Sequence, residues 1–83
     1  MKHATLHQII NCSRLMQNFT HYIDIEHRGR CELISVLNEP GIENEHAHVV
    51  MLRPKGFTVL SEQFKAVIDD STVFDLKKDT TYN

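Results

Sequence analysis

Tryptophan is absent, and four Phe and two Tyr hold the aromatic share to 7%. A core with so few large rings has to be built from closely packed aliphatic side chains. Glycine (three) and proline (two) are scarce, which excludes collagen-like or low-complexity chains. Gly29, Gly41 and Gly56 stand apart, so no glycine-rich phosphate loop is present. Two cysteines cannot frame a disulfide mini-protein, and neither a C-x-x-C nor an H-E-x-x-H pattern occurs. No apolar run approaches the ~18 residues of a membrane-spanning helix, and the first residues lack the apolar stretch of a signal peptide. The expectation is a soluble, cytoplasmic chain without membrane insertion. A basic excess is also missing, because nine Lys and Arg face eleven Asp and Glu for a formal charge of -2. Phosphate recognition leans on such an excess, so nucleic acid is not the expected ligand.

What remains is a chain of 83 residues, 41% apolar and 24% charged, enough for one small domain with a thin core. Residues 1–76 read as that domain, and 77–83 as a frayed polar tail. From Ala4 to about Phe19 the apolar residues recur with helical spacing. Leu6, Ile9, Ile10, Cys12, Leu15, Met16 and Phe19 share one arc about 220° wide, well beyond the stripe of an ordinary surface helix. From Tyr22 the period becomes two, with Ile23 and Ile25 on one side of a strand. His27-Arg28-Gly29 supplies a turn with Gly29 at positive φ, and Cys31 to Leu37 returns. The preferred register sets Ile25 against Cys31 and Ile23 against Leu33, leaving Asp24 facing Glu32. Asn38-Glu39-Pro40-Gly41 breaks the strand. His46 to Arg53 forms a third strand. A second helix is expected from about Val59 to Asp69, capped by Thr58 or Ser61, because Leu60, Phe64, Val67 and Ile68 fit a helical stripe. Val73, Phe74 and Leu76 then dock as a short extended segment. The expected fold is α+β, a three-stranded antiparallel meander with two helices over one face, in the order α-β-β-β-α.

The meander carries apolar residues on both faces. A half-solvated antiparallel strand alternates with polar residues, and these strands do not. Tyr22, Ile34, Val36, His48, Val50 and Leu52 are therefore assigned to a second face that meets another protein, most simply a second copy of the chain.

Six histidines invite a metal, and both His46-Ala47-His48 on a strand and His3 with His7 on a helix are spaced for chelation in pairs. A third and fourth ligand at a recognisable spacing are missing, so the histidines are read as solvated and no metal or other cofactor is expected. Asp69-Asp70, at the end of the second helix, is read as facing solvent. Cys12 and Cys31 fall on apolar faces with nothing nearby to activate a thiol. No concave set of convergent polar groups is implied, and the chain is not expected to be an enzyme. The functional expectation is a small regulator, inhibitor or adaptor acting by protein contact, of the kind found among phage accessory proteins. The alternative is a weak nucleic-acid-binding module, since double-stranded-RNA-binding domains share the α-β-β-β-α order. Against it, residues from Glu32 onward carry five positive and nine negative side chains.

Overall fold

The computed structural model describes residues 2–39, 43–55 and 62–79. Six strands and two short helices follow in the order β1 (His3–Thr5), α1 (Leu6–Asn11), α2 (Ser13–Asn18), β2 (Phe19–Ile25), β3 (Gly29–Leu37), β4 (Ala47–Pro54), β5 (Phe64–Asp69) and β6 (Val73–Lys78). All strands join one antiparallel sheet in the spatial order β1-β6-β2-β3-β4-β5. The expected three-stranded meander with two long helices is therefore corrected to a six-stranded sheet with two short helices. Its middle, β2-β3-β4, is the meander read from the sequence.

Three local corrections have physical causes. The single N-terminal helix is two, parted at Cys12, whose φ of -131° and ψ of 105° are extended. The break resolves the over-wide apolar arc: each piece turns its own residues inward, Leu6 and Ile9 from α1 and Leu15 from α2. Thr5 caps α1 with a capping box, its hydroxyl accepting from the Gln8 N–H at 3.2 Å while the Gln8 side chain accepts from the Thr5 N–H at 2.8 Å. His3 and Ala4, read as helical, instead pair with Asp75 and Phe74 in β1.

The second correction concerns Phe64–Asp69, which is strand β5 and not helix. Phe64, Ala66 and Ile68 satisfy a period of two as well as a helical stripe, and short apolar runs cannot be separated by periodicity alone. The residues proposed to begin and cap that helix, 56–61, lie outside the described residues. Third, Lys77 and Lys78 are no frayed tail, since they pair with Thr20 and Phe19; residues 80–83 lie outside the described residues.

The β2–β3 register differs from expectation by two residues, with Ile25 opposite Gly29 and Ile23 opposite Cys31. A slip of two leaves every side chain on its face, so Ile23, Ile25, Cys31 and Leu33 still point inward. It also places Asp24 opposite Arg30 instead of Glu32, removing the like-charge pair. Glu32 faces Arg53 on β4, with Nη2 to Oε1 at 3.2 Å.

A flat sheet in this order is impossible. β5 and β6 are separated by β4, β3 and β2, or four strand spacings of ~4.8 Å, about 19 Å. Only Asp70, Ser71 and Thr72 join Asp69 to Val73, and four residue steps reach at most about 14 Å. The sheet must roll up. A bulge at Ile34 helps, the register shifting between Leu33/Leu52 and Ser35/Met51. The concave side holds the core, with Leu6, Ile9, Cys31, Val50, Leu52 and Phe74 completely or almost completely enclosed.

Candidate functional site

Rolling the sheet brings the N-terminus of α1, the start of β4 and the β5–β6 connection to one end. Three backbone bonds stitch them together: Leu6 N–H to Thr72 O (2.9 Å), His7 N–H to Asp70 O (3.0 Å) and Asp70 N–H to His46 O (2.7 Å). Asp70 is the hub. Its side chain, only 22% exposed, faces three imidazoles. His48 Nε2 is hydrogen-bonded to Oδ1. His46 Nδ1 lies 3.7 Å and His7 Nδ1 4.0 Å from Oδ2.

His48 is on β4, whereas His46, expected in the strand, lies in the turn just before it and is held beside Asp70 by the bond from the Asp70 N–H to its carbonyl. His7 arrives from α1, where the Asn11 side-chain amide donates to the His7 carbonyl at 2.8 Å and sits beside its ring. Next to the hub, Asp69 accepts from the Ser71 hydroxyl (2.6 Å) and N–H (2.8 Å). These bonds hold its carboxyl below the usual carboxylate range, with His46 and His48 adding a smaller pull in the same direction.

The sequence reading grouped these histidines wrongly. His3 is not on the helix with His7; it sits on β1 with Nε2 2.9 Å from Asp75 Oδ1. His7 joins His46 and His48 instead, across about forty residues of chain. Asp70 does not simply face solvent. As the side chains lie, no set of three or more His, Cys, Asp or Glu groups among the described residues stands poised to hold a metal ion. A fifth histidine, His21, is buried on β2, its Nε2–H donating to the Leu15 carbonyl at 2.6 Å.

The residues expected to form an outward interface are divided by the structure. Val50 and Leu52 are fully enclosed and lie on the core side. Val36 pairs with Val50, because the extra residue at the bulge returns it to the concave face. His48 shares that face and closes its end on Asp70. Ile34 is half-buried at the bulge itself. Only Tyr22 keeps its assignment to the convex face, where Arg30 and Lys55 lie over its ring at 5.5 and 4.7 Å from the centroid.

The convex face has a different apolar row. Leu37, Val49 and Val67 are adjacent across β3, β4 and β5, with Met51 beside them. The row runs out to β5, the last strand of the sheet, where Val67 is 64% exposed. Three cations of this face are matched: Arg30 with Asp75 (2.5 Å) and Asp24 (3.4 Å), Arg53 with Glu32, and Lys65 with Glu39 (2.5 Å). No helix among the described residues is long and apolar enough to cross a membrane. Comparison with protein-family models, curated proteins and solved structures finds no match for this chain.

Proposed function

We propose that this chain is a small non-enzymatic regulator or adaptor that works by protein contact, its contact surface being the margin of β5 around Val67, with the partly buried Leu37 and Met51 beside it. The exposed Val67 carries the reading. It sits mid-strand on the sheet's outermost strand, and among the described residues no strand pairs with its far side. An open strand edge offers unpaired N–H and C=O groups to any extended segment, and proteins usually blunt such edges with charge or proline. β5 has Lys65 and Asp69 on the convex side, but Lys65 is drawn aside to Glu39, leaving the valine uncovered. A second copy is the simplest partner, since β1 provides another sheet margin for the edge to meet. The pairing of Arg30, Arg53 and Lys65 with carboxylates favours this reading over phosphate binding.

Sedimentation velocity of the wild type and of Val67→Lys tests it. The wild type should sediment as a concentration-dependent oligomer. Val67→Lys should keep the wild-type circular dichroism and melting temperature, because the site is exposed, and sediment as a monomer. A wild type that is monomeric up to high concentration, or a variant that associates unchanged, would reject the second copy as partner.

A further inference from the structure

We propose that Asp70, His7, His46 and His48 form an inducible site for a divalent transition-metal ion of the zinc class, ion binding exchanging the imidazole–carboxylate contacts for metal bonds. The donor set is three imidazoles and one carboxylate, which suits zinc, cobalt, nickel or copper(II). Calcium and magnesium prefer all-oxygen sites. The groups do not stand poised for an ion because each ring is turned toward the carboxylate instead of sharing a centre with it.

Ligand atoms about 2.0–2.2 Å from a tetrahedral ion stand ~3.4 Å from one another. The separations from Asp70 Oδ2 to His46 and His7 are 3.7 and 4.0 Å, within a fraction of an ångström of that spacing. His48, directly hydrogen-bonded, has to swing back. His7 and His46 are each tied to Asp70 by a backbone bond, which keeps their main chain beside it.

The site also opens directly to solvent, with the His7 and His46 side chains 67% and 70% exposed, so an ion enters without any unfolding.

The full-length chain, prepared without a histidine tag and stripped with EDTA, is titrated near neutral pH, where imidazoles are mostly uncharged. Zinc chloride is followed by calorimetry and cobalt(II) chloride by visible absorption. The expected result is one zinc ion per chain and the intense d–d bands of tetrahedral cobalt. His7→Gln and Asp70→Asn should each weaken binding roughly tenfold or more. His7 is exposed, so its variant keeps the fold whatever Asp70→Asn does. Absence of both heat and bands in the wild type would overturn the proposal. Binding undiminished in both variants would overturn it equally, by placing the ion elsewhere.

Discussion

At Gly29 the β2–β3 turn passes through φ of +76°, and nothing lies within 4 Å of the position a Cβ would take. Steric room is therefore free, and the demand for glycine comes from the backbone alone. A β-branched residue in the left-handed region is strained by about 1–2 kcal/mol. Gly29→Val should lower the unfolding free energy by that amount in urea melts, with an unchanged slope. Gly29→Asn should cost clearly less, because Asn tolerates this conformation. The preceding His27, at φ of +66°, already shows that the turn imposes left-handed backbone on a non-glycine residue. The need for positive φ at Gly29 was legible from the turn residues; that at His27 was not, since a histidine carries no such signal.

Strand β4 shows at element scale where pattern reading works and where it fails. Val49, Val50, Met51 and Leu52 announce a strand, but a continuous apolar run does not say which alternate set faces the core. The structure encloses Val50 and Leu52, opposite to the assignment by alternation across the hairpin. Leu52 pairs with Leu33 ahead of the bulge, so the undecided choice lay in β4 itself; the extra residue at Ile34 separately turns Val36 inward, and no turn residue or glycine marks the place. β5 was missed for a related reason, because Phe64, Ala66 and Ile68 fit both periods. Val67 was the clue, as a helix would have buried it while the strand turns it outward. The corrected faces give a sharp contrast. Val50→Asp places an uncompensated carboxylate in a fully enclosed position, at a cost of several kcal/mol, and should leave the chain unfolded by circular dichroism at 25 °C. Ile34→Glu, at a half-buried bulge, should retain a cooperative thermal transition.

Across the whole molecule, the convex face is braced by charge. Arg30 on β3 reaches over β2 to Asp75 on β6, which also receives His3 from β1. The hydrogen bond from Arg30 is the main reason the Asp75 carboxyl is held below its usual range. The sign follows from the lowered value. The strut contributes fully above the ordinary carboxylate pKa of about 4 and is lost as pH falls through the depressed one. Thermal melts should therefore show Asp75→Asn less stable than wild type at pH 6, with the difference shrinking toward zero by about pH 2. A difference independent of pH would mean the strut acts by packing alone. Neither this brace nor the Asp70 hub could be read from local pattern, because each joins residues from opposite ends of the chain. The histidines were visible in the sequence as pairs; their shared carboxylate was not.

The position of β6 in the sheet has a consequence for biosynthesis. The last of the described strands to be made, Val73–Lys78, is seated between the first, β1, and β2. While the ribosome still holds that segment in its tunnel, β1 has no partner and one margin of β2 is bare. The meander can form early, but the roll cannot close, and Phe74, at the centre of the core, is missing from it. Folding to the finished barrel-like sheet is thus deferred until translation has passed Lys78, and pairings this distant along the chain are intrinsically slow. Throughout that interval two strand margins in addition to β5 are open to neighbours on the same message, the setting in which chains of one kind first meet.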